Sequence, residues 1–187
     1  MEMIGEICNS PHLDYLKNLK LVMKDKCKVY CEIGVLYGGS MIMMMDMNYP
    51  CLYIGIDPFD GYYGKSYDPH RKVDLTNHFD IVGENIIKNN KYFQKWKLIK
   101  GKSNEVHNKI TEKIDFLFID GDHSYKGVLD DFNNFKDKVN VNGYICFDNY
   151  NDPDWSEVKI ACDKIIKDND FKVIDERKYC LTLRKLK

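Results

Sequence analysis

The chain has 187 residues, enough for one full hydrophobic core, and its 28 basic and 29 acidic side chains leave a formal net charge of -1. That balance offers no broad attraction to nucleic acid or to an anionic membrane, and 44% hydrophobic with 30% charged residues excludes a disordered chain. No apolar run approaches the roughly 18 residues of a membrane span, and the start "MEMIGEICNS" lacks the basic-then-apolar order of a secretion signal.

Within an N-terminal helical region, residues 1–26, Ser10 and Pro11 cap and open an amphipathic helix with Leu13, Leu16 and Leu19 at helical spacing. "KVYCEI", helical "SMIMMMDMN" and "CLYIGI" then make a strand–helix–strand unit. Residues 58–75, "PFDGYYGKSYDPHRKVDL", have no clean period and read as a long loop, a length that usually means binding or movement. A helix over 76–92 and the strand "WKLIK" follow. "KIDFLFID" is the most central strand, and after it Val128, Phe132, Phe135 and Val139 form one buried helical stripe. "GYICFDN" is the fifth strand. Asp154 and Glu157 suggest a capping box ahead of Val158, Cys162 and Ile165. "FKVID", a turn at 176–178 and "YCLTLR" close the chain as a hairpin-like pair. The alternation predicts one domain over 1–187. Its fold class is α/β, a doubly wound, Rossmann-like, seven-stranded and mostly parallel sheet with the last strand antiparallel and helices on both faces. Seven cysteines without a CxxC, several of them inside apolar runs, point to a reducing, cytoplasmic compartment.

In "YCEIGVLYGGS" the first strand ends at Glu32 and Gly34, Gly38 and Gly39 lead into Ser40, which opens a helix. Glycine lets backbone turn tightly and approach a ligand, although a plain structural turn would need the same residues. The spacing is neither GxGxxG nor a Walker loop. Asp57, at the tip of the second strand, suits a ribose diol, or else caps the turn at Pro58. With Glu32 beside it a pyrophosphate would be repelled, which favours a ribose-bearing ligand without phosphates.

Strands four and five end in Asp120-Gly-Asp122-His123 and Asp148-Asn149. Neighbouring tips would gather Asp120, Asp148 and Asn149 as oxygen donors for Mg²⁺ or Mn²⁺. Helix capping could account for one or two of these residues but leaves adjacent carboxylates at apolar strand ends unexplained.

With "EIGVLYGGS", "GIDPF", "IKGKSNEV", "DFLFIDGDHSYKGVLDDF" and "NGYICFDNY" in this order over residues 29–150, the chain resembles the class I S-adenosylmethionine-dependent methyltransferases. Within them it resembles the metal-dependent O-methyltransferases, those acting on macrolide and aminocoumarin sugars most and the catechol and caffeoyl-CoA type more distantly. The resemblance implies that Glu32, Gly34, Tyr37, Gly38, Gly39 and Ser40 surround the methionine portion of S-adenosyl-L-methionine. It also implies that Asp57 holds the ribose, that Ser103 meets the adenine, and that Asp120, Asp148 and Asn149 bind the metal, with Asp120 also at the cofactor edge. Asp120 would then be catalytic through the metal, and Asp122 or His123 would be the base, Asp122 being preferred. The bulk of Val35-Leu36-Tyr37 in the glycine loop departs from some relatives.

The long loop follows Asp57 directly, so Tyr62, Tyr63 and Tyr67 are candidates for a lid that stacks on the acceptor, or for a homodimer contact. The acceptor is expected to be a small molecule or glycan with adjacent hydroxyls, a sugar rather than a catechol. Competing expectations are an NAD-binding Rossmann protein and a non-catalytic binding or scaffold protein.

Overall fold

The computed structural model describes residues 26–46, 50–60, 77–177 and 179–187. The helix expected near the N-terminus and most of the 58–75 loop, with Tyr62, Tyr63 and Tyr67, lie outside the described residues.

Seven strands form one sheet in the order β3-β2-β1-β4-β5-β7-β6. Strands β1 (Val29–Ile33), β2 (Leu52–Asp57), β3 (Lys95–Lys100), β4 (Ile114–Ile119) and β5 (Val139–Phe147) are parallel. β7 (Cys180–Lys185) runs antiparallel to both β5 and β6 (Phe171–Arg177), as expected of the last strand. Chain order reverses between β1 and β4, and at such a switch point the loops leave in opposite directions and open a crevice.

Both sheet faces are buried, and strand alternation divides the side chains between two cores. Tyr30, Tyr53, Phe116, Phe118 and Cys146 point to one face, under α1 (Gly39–Met45) and α2 (His78–Asn89). Cys31, Ile33, Ile54, Leu117 and Ile145 point to the other, under α3 (Ser103–Val106), α4 (Tyr125–Phe135) and α5 (Ser156–Ile165). Met41 to Met45 are all buried, so α1 packs on every side, a position that suits the unbranched, adaptable methionine side chain.

Three boundaries differ from expectation. β5 starts at Val139, because a bulge with Asn142 at φ 68 inserts extra residues before Tyr144 pairs with Phe116. β6 continues to Arg177, opposite Cys180, where a turn was expected from residue 176. Asp152 caps the 3-10 turn Pro153–Trp155 that leads into α5, accepting from the Asp154 N–H at 3.0 Å, while Glu157 accepts from the Tyr125 N–H at 2.8 Å. Glu157 therefore ties two helix starts together instead of closing a capping box with Asp154.

Candidate active site

β1 delivers the glycine loop to the carboxyl edge of the sheet. Gly34 takes φ 87, and a Cβ there would lie 1.9 Å from the carbonyl oxygen of Asp120, so only glycine lets the β1 and β4 loops touch. Asp120 N–H donates to Ile33 O at 2.9 Å and Asp148 N–H to Ile119 O at 3.0 Å, which carries the ladder one residue past each strand. The acidic tips of β4 and β5 are thereby held side by side.

Glu32 continues the α1 face of β1 and is wholly buried. It accepts from Tyr30 OH at 2.5 Å and from the Ser40 hydroxyl, so its carboxyl ties the strand to the first turn of α1. Burial raises its pKa to about 8, against the lowering effect of the Ser40 and Tyr30 hydrogen bonds. Asp57 is also buried: Oδ2 accepts from the N–H groups of Val35 at 2.9 Å and Leu36 at 3.2 Å, and Oδ1 from that of Phe59 at 2.7 Å. It fixes the glycine loop and also the turn after β2, so the capping role and the expected ribose role fall on one carboxylate. Gly38, at φ 86, is the N-cap of α1, and Gly39 has open space where a Cβ would be. Tyr37 turns its ring away into the core, 5.6 Å from His78.

On the β4–α4 loop, His123 Nε2 lies 3.1 Å from Asp120 Oδ1 and its ring stands edge-on to Trp155 at 4.5 Å. Burial opposes charge on this ring, but the Asp120 hydrogen bond and the charges of Asp120, Asp148 and Asp122 outweigh it and raise its pKa. Asp122 is exposed, and its Oδ1 accepts from the Ser124 N–H at 2.9 Å. Asp148 and Asn149 are each 8% exposed. Cys180 Sγ approaches Asp148 Oδ1 at 3.4 Å, and Asn149 Nδ2 donates to Asp152 Oδ2 at 3.0 Å. Among the described residues no three His, Cys, Asp or Glu side chains gather as a metal cluster. The donor set at the β4 and β5 tips is two carboxylates and an amide, hard oxygen chemistry that fits Mg²⁺ or Mn²⁺.

A cavity of about 370 Å³ opens at the switch point, lined by Gly34, Asp57, Ser103, Gly121, Asp122 and Asp131 among others. Sequence reasoning placed Asp57 and Ser103 here and missed Asp131, which is 3% exposed and hydrogen-bonded by the Ser103 hydroxyl. Burial raises the Asp131 pKa to about 7, with the Ser103 bond acting in the opposite direction. The signal was available in the sequence: Asp131 lies three residues after Val128 and four before Phe135, on the buried stripe.

A family profile described as a methyltransferase domain matches residues 31–150. An uncharacterized protein of Acanthamoeba polyphaga mimivirus is 35% identical over 158 residues, which cover 84% of this chain and 67% of that protein. Among solved structures, an O-methyltransferase from Bacillus cereus in complex with SAH superposes with a TM-score of 0.70 at 18% identity, covering 97% of this chain and 83% of that one. The calicheamicin methyltransferase CalS11 gives 0.70 at 16% identity, covering 92% and 78%. A second CalS11 structure is described as a TDP-rhamnose 3'-O-methyltransferase. The structural likenesses concern the fold.

Proposed function

Because the chain belongs to the methyltransferase domain family, whose profile covers residues 31–150, we propose that it is an S-adenosylmethionine-dependent, divalent-metal-dependent O-methyltransferase acting on a sugar, glycan or other small molecule with adjacent hydroxyls. The observation that carries the reading is the joining of two half-sites at one sheet edge, a donor cavity lined by Gly34 and Asp57 and the oxygen-rich tips of β4 and β5. S-adenosylmethionine supplies an electrophilic methyl group, and a hard cation supplies charge that makes an adjacent hydroxyl more acidic.

Asp57, deep in the cavity and already oriented by three backbone N–H groups, would hold the ribose diol, with Gly34, Gly38, Gly39 and Ser40 around the remainder of the donor. Asp120, Asp148 and Asn149 would hold the cation. Their lone pairs are presented by neighbours that fix the side chains: His123 on Asp120, Cys180 on Asp148 and Asp152 on Asn149. With a ring N–H donated to Asp120, His123 orients a ligand carboxylate, and the proton-accepting role falls to Asp122, exposed on the same loop and facing the cavity. Much of the rate would come from alignment of acceptor and donor across this edge. The description of CalS11 as acting on TDP-rhamnose supports a sugar acceptor over a catechol. All six described cysteines are free thiols, which supports a reducing setting, and no described helix is long and apolar enough to cross a membrane.

The reading is tested by mass-spectrometric screening for the gain of one methyl group, using nucleotide sugars, glycans and catechols with S-adenosylmethionine and Mg²⁺. Methylation of a sugar, abolished by EDTA and restored by Mg²⁺ or Mn²⁺, is expected. Methylation of catechols alone would reverse the acceptor class, and full activity in EDTA would remove the metal. S-adenosylmethionine binding without product across the panel would favour a non-catalytic protein.

A further inference from the structure

A second cavity, of about 430 Å³, lies at the amino edge of the sheet, where β1, β2 and β3 begin, with Lys28, Cys51, Tyr92, Phe93 and Lys95 in its lining. Cys27 and Cys51 stand just ahead of β1 and β2, and their Sγ atoms are 3.8 Å apart. Along regular parallel strands, positions one residue out of register point to opposite faces, and with Val29 opposite Leu52 that would separate the two thiols. A bend at Lys28 breaks this alternation and turns both cysteines into the same core.

The two sulfurs are not equivalent. Cys27 is sealed off at 1% exposed, whereas Cys51 borders the cavity. Gln94, on the cavity wall, accepts the Cys51 N–H at 3.2 Å and fixes that cysteine against the opening. With Cys27 donating its S–H, the Cys51 thiol is held below its ordinary pKa against the effect of burial, and the same contact together with burial pushes Cys27 up. Cys51 is thus the better nucleophile of the pair and also the one a reagent in the cavity would meet. The described lining includes two lysines and no acid, a surrounding that attracts an anion.

We infer that Cys27 and Cys51 form a reversible dithiol–disulfide pair, oxidised through this cavity by a small anionic disulfide. Cys51 thiolate attacks one sulfur of that disulfide, the S–S bond breaks, and the leaving thiolate takes up the proton Cys51 has lost. Cys27 then attacks Cys51 Sγ, the mixed disulfide breaks, and the second leaving thiolate takes the Cys27 proton. Two protein thiols are oxidised to one disulfide while the reagent is reduced to two thiols. A disulfide needs Cα atoms roughly 4.4–6.8 Å apart, a separation that neighbouring strands about 4.8 Å apart provide for positions one residue out of register.

The test exposes the reduced full-length chain to oxidised glutathione at neutral pH and maps the products by mass spectrometry. Wild type is expected to lose two hydrogens, with the Cys27 and Cys51 peptides linked in protein that keeps its native circular-dichroism spectrum. Cys27→Ser should instead retain a glutathionyl group on Cys51, and Cys51→Ser should gain none on Cys27. In the Cys27→Ser background, Lys28→Gln together with Lys95→Gln should slow the addition by about threefold or more, with addition from neutral hydroxyethyl disulfide unchanged. Absence of the Cys27–Cys51 link in wild type, under oxidation that modifies other cysteines, would overturn the inference. Equal slowing with both reagents, or none with either, would overturn the anionic oxidant. If Cys27→Ser does not fold, the rate of linkage with and without the two lysine changes decides.

Discussion

At the scale of single residues, Glu32 joins strand to helix by accepting from the hydroxyls of Tyr30 and Ser40. It is wholly buried between Tyr30 OH and Ser40, and its pKa rises to about 8 because burial disfavours the charged form. In the unfolded chain a glutamate titrates near 4.3. The native state therefore binds more protons between these values. This contribution to stability is complete below the unfolded pKa and is lost as pH rises through about 8. Thermal melts from pH 5 to pH 9 should show wild type losing roughly 5 °C more than Glu32→Gln, which has no proton to lose. Parallel declines in the two proteins would place the titrating group elsewhere. Asp122 and His123 part company at the same scale. Asp122→Asn should lower kcat by about 10²-fold or more with S-adenosylhomocysteine affinity unchanged. In His123→Ala, the Mg²⁺ concentration giving half-maximal rate should rise about tenfold or more, as for other partners of metal ligands. Wild-type turnover in Asp122→Asn would move the base elsewhere.

At the scale of elements, the glycine loop separates folding from binding within six residues. A side chain at Gly34 would run into the Asp120 carbonyl, whereas at Gly39 it would meet open space on the first turn of α1. Gly34→Ala should accordingly unfold or aggregate, since backbone has to move on both β1 and β4 loops. Gly39→Ala should keep or slightly raise Tm, because alanine is the better helix former by about 1 kcal/mol. If donor and backbone come close there, Gly39→Ala should also weaken S-adenosylhomocysteine by about tenfold, as read by calorimetry. An unchanged Kd would exclude a close approach at Gly39. A similar constraint holds Gly127, where a Cβ would come within 2.6 Å of Asp122 atoms including its carbonyl oxygen. The first turn of α4 is thus shaped around Asp122.

Across the whole molecule, the central strands β1, β2, β4 and β5 were legible because their apolar runs end at glycine or at an acid, and the alternation with helices left little choice but a parallel sheet. Asp57, Asp120 and Asp148 were legible for a related reason, being charges at the ends of strands whose interiors are buried. What the linear order concealed were partnerships made across elements. Glu157 read as a capping-box residue because its partner, the Tyr125 N–H, is 32 residues away on α4. Asp131 was passed over although it lies on the buried stripe of α4, because its partner, the Ser103 hydroxyl, belongs to another helix. Tyr37 sat among ligand-facing glycines in sequence, yet its apolar ring is turned into the core towards α2. The organisation that results is a two-faced sheet whose carboxyl edge carries the cavity and the acidic tips of β4 and β5 together. Its most direct test is calorimetric titration of wild type and Asp57→Ala with S-adenosylhomocysteine, with NAD as the competing ligand. The account predicts saturable binding of S-adenosylhomocysteine to wild type, at least about tenfold weaker binding to a folded Asp57→Ala, and no heat with NAD. Binding of NAD alone would contradict it.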